Sequence, residues 1–404
     1  VSNTPVMKRF IRRTVDKHLP VNVHFDLTYR CNERCIHCYL DHEDYGEMTT
    51  AEVRAALDQL AAAGALFLTF SGGEIFLRKD LFELLQYARK LHFDLSLKTN
   101  ALLVNEERAA QLRTVGVRRI QISVYSADPA VHDAITQVPG SLARSLEAIA
   151  LLRRHGLQVK IACPLMKENL LAYRDVMKLA EELGVPYILD LTITPMMNGD
   201  RDTLTHRNAA EELLPVLTDA KLNQYLMARG NDCGHAEGLG SGNTHARPIG
   251  SATSSGIESD AYDGIPCSAG HNSLYISPYG DVFPCVQLVV PAGNLRRQRF
   301  EEIWYGSTEM RRVRAVREKQ LPDCANCSIR SYCERCPGLA LMEGGDLFGA
   351  YERACELAEL HARLAGVENP ISAFHARVRR SADVGSPVPD LTALAANSES
   401  GLPG

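Results

Sequence analysis

Three cysteines stand close together near the start of this chain, Cys31, Cys35 and Cys38, in the run C-N-E-R-C-I-H-C. Thiolates at this spacing hold three corners of a cubane [4Fe–4S] cluster and leave the fourth iron without a protein ligand. An open iron is a place for chemistry, because a substrate or cofactor can bind there. The competing use of such thiolates is structural zinc. Zinc closes on four ligands, and His37 is the only further candidate at ordinary spacing. More cysteines lie downstream. Cys267 and Cys285 bracket Gly280; then come Cys324, Cys327, Cys333 and Cys336, and finally Cys355. Paired C-x2-C units favour zinc ribbons in general, so zinc and iron–sulfur clusters both stay open for this region. Cys163 and Cys233 lie apart. Cys163, in an apolar run, reads as a small core residue. Cys233, in a polar stretch, reads as a ligand, a hydrogen-atom donor or a surface thiol.

These groups need elements to position them. From about residue 21 to 195 strand-like and helix-like segments alternate. The strand candidates are Val21–Leu27, Leu66–Phe70, Asp94–Thr99, Arg119–Tyr125, Gln158–Leu165 and Tyr187–Thr194. They are rich in branched apolar residues, as buried parallel strands are. Thr49-Thr50-Ala51-Glu52 reads as a capping box ahead of a helix with Val53, Leu57 and Leu60 on one face. Repeated strand–helix units imply a parallel sheet with right-handed crossovers. Six units fall short of a closed eight-stranded barrel, so the expectation is an α/β fold with an open, partial (β/α)6 barrel. The first cysteine array follows the first strand, at the carboxyl edge where such folds place ligands.

Composition bounds the rest. Hydrophobic residues make up 45% and charged residues 23% of 404, and the net charge is −5. That is an ordinary globular composition, with no sign of nucleic-acid binding. No apolar run is long enough to span a membrane, and no secretory signal is visible, so a cytoplasmic protein is expected. In such a protein clustered cysteines argue for metal rather than disulfides. The expected division is an N-terminal extension over 1–20, the barrel over 21–228, a Gly/Ser-rich loop or linker over 229–265, a cysteine-rich domain with a closing helix over 266–366, and a tail over 367–404 with little order.

C-x3-C-x2-C with a ring residue, His37, before the last cysteine resembles the radical S-adenosylmethionine (SAM) superfamily. The order of the other segments is similar too. Ser71-Gly72-Gly73-Glu74 follows the second strand, Thr99-Asn100 ends the third and Ser123 ends the fourth. The resemblance implies that the open iron chelates the methionine part of SAM, and that one electron cleaves a C–S bond to give a 5′-deoxyadenosyl radical. It assigns Gly72, Gly73 and Glu74 to the methionine amino group and Ser123 to the ribose, with His37 and Asn100 also near the cofactor. The downstream cysteines resemble the SPASM extension, which holds two auxiliary [4Fe–4S] clusters. Carried over, Cys324, Cys327, Cys333 and Cys355 hold the distal cluster, and Cys267, Cys285 and Cys336 the proximal one. The chain departs from that pattern in having two residues rather than three before Cys336, and no extra cysteine shortly before Cys267.

The function implied is a ribosomal-peptide maturase, forming a C–C or thioether crosslink by hydrogen abstraction. The alternatives are an anaerobic sulfatase-type formylglycine maturase, a peptide epimerase or small-molecule dehydrogenase, and a zinc-stabilised binding module. Asp200, after the sixth strand, is the candidate base, and Cys233 the candidate hydrogen donor. The partners expected are a peptide substrate and a reductant such as flavodoxin or ferredoxin. With about 30 residues ahead of Cys31, leader-peptide recognition is expected to need a separate protein.

Overall fold

The structure, a computed structural model, describes residues 5–230 and 264–383. Cys233, nearly all of the expected linker and the tail beyond 383 lie outside the described residues. These form two compact units. The first holds residues 5–209, 225–230 and 268–314; the second holds 210–224, 264–267 and 315–383.

In the first unit, helix α1 (Pro5–Asp16) leads into β1 (Asn22–Thr28). There follow α2 (Thr50–Ala62), β2 (Phe67–Gly72), α3 (Leu81–Lys90), β3 (Asp94–Thr99), α4 (Glu106–Val115) and β4 (Arg119–Ser123). Then come α5 (Pro129–Thr136), α6 (Ser141–Arg154), β5 (Gln158–Pro164), α7 (Tyr173–Glu182) and β6 (Tyr187–Asp190). β1 to β6 pair in parallel, each with its sequence neighbour, and form the open partial barrel. The reason lies in the strands' alternation. Val23, Phe25, Leu27, Leu68, Phe70, Leu95 and Leu97 are almost wholly buried, and the residues between them are polar. The Thr49 capping box is formed, with Thr49 and Glu52 satisfying each other's main-chain N–H groups.

Two differences from expectation have physical causes. β6 stops at Asp190 instead of running to Thr194, because Asp190 Oδ1 accepts Thr192 N (2.9 Å) and turns the chain out of the ladder. The sheet also does not end at β1. β7 (Ser273–Ile276) pairs with β1 in parallel, and β8 (Asp281–Phe283) and β9 (Gly293–Asn294) follow antiparallel, giving the order β6-β5-β4-β3-β2-β1-β7-β8-β9. These strands come from the region that composition assigned to the cysteine-rich domain.

In the second unit regular structure is helical and short: Pro337–Gly344, Glu352–Leu364 and Ala373–Asp383, joined by turns. Its small apolar clusters include the cysteines themselves. Cys336 packs with Leu339, Ala340, Tyr351 and Ala354, and Cys327 and Cys333 pack against Ile329, Ala358 and Ala362. No helix among the described residues is long and apolar enough to cross a membrane.

Candidate functional site

The loop that carries Cys31, Cys35 and Cys38 leaves the end of β1 and is pinned from three sides. Below it lies the β2 edge. Gly73 N donates to Thr28 O (2.8 Å) and Glu74 N to Arg30 O (2.9 Å). Gly72 has φ +132°, and a Cβ there would stand 2.1 Å from Thr28 O; one on Gly73 would stand 2.4 Å from Arg30 O. The two glycines are therefore required by the cysteine loop's own backbone, which lies directly on them. At the loop's entry, Arg78 donates to Leu27 O and Met48 O (3.0 Å each) while paired with Asp80 (2.6 Å). Glu47 accepts from Thr28 Oγ1 and from Tyr29 N (3.2 Å). On the far side the last turn of α5 holds the loop, through Arg34 N to Thr136 O and Ile36 N to Ile135 O (3.1 Å each).

The sulfurs receive donors. Glu33 N lies 3.4 Å from Cys31 Sγ and Asn100 Nδ2 3.8 Å from it; Tyr125 OH lies 3.7 Å from Cys35 Sγ. Burial pushes the Cys31 thiol up to about 12 and the Cys38 thiol to about 11, and raises that of Cys35 strongly. Three half-buried thiols that resist ionisation alone need a positive centre to hold them as thiolates, a role that iron fills. Among the described residues no three His, Cys, Asp or Glu side chains close on a single ion. A cubane asks for a wider set, each thiolate on its own iron. Three thiols on one short loop, with main-chain and side-chain donors on two of them, are a donor set that fits a cluster.

Glu74 is fully buried. Its carboxylate accepts Phe76 N (3.0 Å), Thr99 Oγ1 (2.8 and 2.7 Å) and Asn100 N (2.9 Å). Where sequence reasoning saw an acceptor open to an ammonium, the structure has an acceptor occupied by the protein's own donors. The brace it forms puts Asn100 Nδ2 on Asn32 Oδ1 (2.8 Å), beside Cys31. Ser123 lies on β4 opposite Ala162 and bonds the Tyr125 hydroxyl. The His37 ring packs edge-on against Tyr125, with centroids 5.0 Å apart. Burial lowers its pKa to about 4, so it is a neutral ring.

Asp200, the candidate base, lies in an exposed turn, where its carboxylate accepts Asp202 N (2.8 Å). The structure also brings a set that sequence reasoning missed into the concave face. Asp26, 0% exposed, holds His24 Nε2 (3.1 Å) and the Tyr275 hydroxyl (2.9 Å), and Tyr275 OH lies 2.6 Å from Tyr29 OH. The signal was present in β1, where Asn22, His24, Asp26 and Thr28 alternate with Val23, Phe25 and Leu27. Cys163 is a fully buried core residue.

Cys285, in the first unit, follows β8, where burial raises its thiol and the main-chain N–H groups of Gln287, Val286 and Leu288 act against that rise. Such a set of donors suits a thiolate. Cys267 belongs to the second unit. There Cys324, Cys327, Cys333 and Cys355 are electrostatic neighbours of one another, and burial raises Cys333 and Cys355 to about 12. Cys336 precedes the helix Pro337–Gly344 in an apolar cluster, where Cys333 packs against it.

Comparison with known proteins agrees with this donor chemistry. Residues 25–180 match the Radical SAM superfamily, and residues 267–328 match the SPASM iron–sulfur cluster-binding domain. The AdoMet-dependent heme synthase of Methanosarcina barkeri is 29% identical over 332 residues, 81% of this chain and 94% of that protein. The PqqA peptide cyclase of Xanthomonas axonopodis pv. citri is 29% identical over 372 residues, 88% of this chain and 92% of its own. Among solved structures, Streptococcus suis SuiB bound to its precursor peptide SuiA shares the fold, with a TM-score of 0.64 at 17% identity, covering 86% of this chain and 80% of SuiB.

Proposed function

Taking as its premise that the chain is a radical SAM enzyme with an iron–sulfur SPASM domain, we propose that it abstracts hydrogen from a peptide substrate and leaves an oxidative C–C or thioether crosslink. The observation that supports this reading is the cysteine loop locked over a polar lumen at the carboxyl edge of the sheet. When bound there, the cluster and SAM supply the one-electron cleavage and the hydrogen abstraction. The chain's own residues do the rest. Cys31, Cys35 and Cys38 hold the cluster. Gly72 and Gly73 seat the loop, and Glu74 acts as a brace that fixes Asn100 against it. His37, Asn100 and Ser123 line the cofactor's place. Cys324, Cys327, Cys333 and Cys355 hold one auxiliary cluster. Cys267, Cys285 and Cys336 serve a second, with Cys233 as hydrogen donor or further ligand. A flavodoxin or ferredoxin is the reductant. The peptide reading draws on relatives such as the PqqA peptide cyclase.

A second reading, a step in heme synthesis, is favoured by the Methanosarcina barkeri relative, which is matched over 94% of its length. One experiment separates them. The reconstituted protein is given SAM, reductant and either short peptides encoded beside its gene or a carboxylate-bearing porphyrin, and products are weighed by mass spectrometry. Loss of two hydrogen atoms from a peptide supports the first reading. Conversion of the porphyrin alone would replace it with the second.

A further inference from the structure

The concave face of the first unit is not a packing interior. A barrel whose interior only packs is filled with Val, Ile and Leu, and here, on β1 to β5, those residues lie on the opposite face. One row across the lumen follows from the strand registers. Asp26 stands opposite Ser71 on β1 and β2. Phe70 opposite Leu97 puts Lys98 next to Ser71. Lys98 stands opposite Gln121, and Gln121 opposite Lys160. The row reads acid, hydroxyl, ammonium, amide, ammonium.

Lys98 is distinct within this face. Asp26 is already taken by His24 and Tyr275. Arg119, lower on β4, is paired with Asp94 (3.5 Å) and bonded to Ser96 (3.2 Å). Among the described residues the Lys98 ammonium has neither a hydrogen bond nor an ion pair. Its charge is felt by His24 and by Cys285. It also sits one residue before Thr99 and two before Asn100, whose amide reaches Cys31 (3.8 Å). A half-buried ammonium facing a polar chamber is stabilised by an anion that enters the chamber, because desolvation penalises an uncompensated charge.

We propose that the lumen binds a carboxylate of the substrate, with Lys98 as its anchor and the Gln121 amide as a neighbouring donor. The proposal rests on the reading that the chamber beneath the cysteine loop receives the substrate. It defines the substrate class as one that carries a carboxylate. The cofactor also has a carboxylate, so the test must tell the two apart.

The test is equilibrium dialysis of radiolabelled glutarate, and of its neutral analogue glutaramide, against the iron-reconstituted full chain. Wild type, Lys98→Gln and Lys98→Arg are compared, and SAM affinity is measured in the same preparations. Glutarate is expected to bind wild type, to bind Lys98→Gln about tenfold more weakly or worse, and to be largely restored in Lys98→Arg. Glutaramide is expected to bind wild type at least about tenfold more weakly than glutarate. Equal glutarate binding by Lys98→Gln, equal binding of glutaramide, or no glutarate binding by wild type overturns the proposal. So does a tenfold loss of SAM affinity in Lys98→Gln, which would make Lys98 a ligand of the cofactor's carboxylate. Failure of wild type to cleave SAM, measured separately, strikes the proposed function and leaves these binding results readable by themselves.

Discussion

The two cysteine sites are built in opposite ways. The loop of Cys31, Cys35 and Cys38 is a rider on a finished scaffold. Its main chain is bonded to β2 and α5, two glycines are shaped to fit under it, and Arg78 and Glu47 fix its entry. The quartet of Cys324, Cys327, Cys333 and Cys355 rests on turns, with Cys355 on the helix Glu352–Leu364. Turns such as Cys327 N to Cys324 O (3.2 Å) and Cys333 N to Arg330 O (3.0 Å) set its local geometry, and Cys327 and Cys333 pack against the apolar clusters of the second unit. The first arrangement is expected to stand before iron arrives, and the second to depend on iron, as small metallo-domains do. Reactivity at an open iron calls for the former, because a site that must hold a cofactor in one pose has to be preorganised.

Removing iron should break the comparison most visibly. Anaerobic chelation is expected to raise backbone amide exchange across residues 321–365 by orders of magnitude, while β1 to β5 stay protected. Equal change in both regions, followed by hydrogen-exchange mass spectrometry, would show that the first site is no more preformed than the second. Next in size is Gly73→Ala. Its Cβ would meet Arg30 O at 2.4 Å and Tyr29 O at 2.6 Å, both backbone atoms that cannot step aside. The variant is expected to lose roughly 3 kcal/mol or more and the iron of the first site, while the iron of the quartet remains. A Gly73→Ala protein with unchanged thermal midpoint and full iron content would refute the locked-loop account.

Much of this scaffold was legible in the sequence, and the exceptions share a cause. The apolar strand segments, the Thr49 capping box and the cysteine spacing are local signals: β1 to β5 and the cap stand close to where they were read, and the first cysteine array falls within the matched Radical SAM region. Glu74 was seen as an open acceptor because nothing local says that Thr99 Oγ1 and Asn100 N will occupy it from the next strand. Asp26 went unnoticed because its partner Tyr275 lies 249 residues away. β7 to β9 were grouped by composition with the cysteines around them, although their pairing joins them to β1. In each case the deciding contact is set by register between distant segments.

Two smaller effects sharpen the picture of the first site. His132 on α5 is buried and neutral, its pKa lowered to about 4 by burial, and its Nδ1 accepts Tyr125 N (3.1 Å). A pKa lower in the folded chain than its ordinary 6.5 means that stability is fully present above about 6.5 and is lost as pH falls toward 4. The loss is expected to reach a few kcal/mol, and His132→Gln should flatten that part of the pH profile of the denaturation midpoint. An unchanged profile in the variant would assign the acid sensitivity elsewhere. Smaller again is Thr99→Val, which takes one of three donors from Glu74. It should cost about 1–3 kcal/mol, read from chemical denaturation; a neutral outcome would mean that the brace is not needed.

The central claim is that the chain holds a SAM-cleaving cluster on Cys31, Cys35 and Cys38. The most direct measurement is formation of 5′-deoxyadenosine and methionine from SAM under anaerobic reduction, by reconstituted wild type and by a variant with all three cysteines changed to alanine. The account predicts turnover by wild type and none by the variant, with the iron of the downstream cysteines still bound. SAM cleavage that persists in the variant would contradict it.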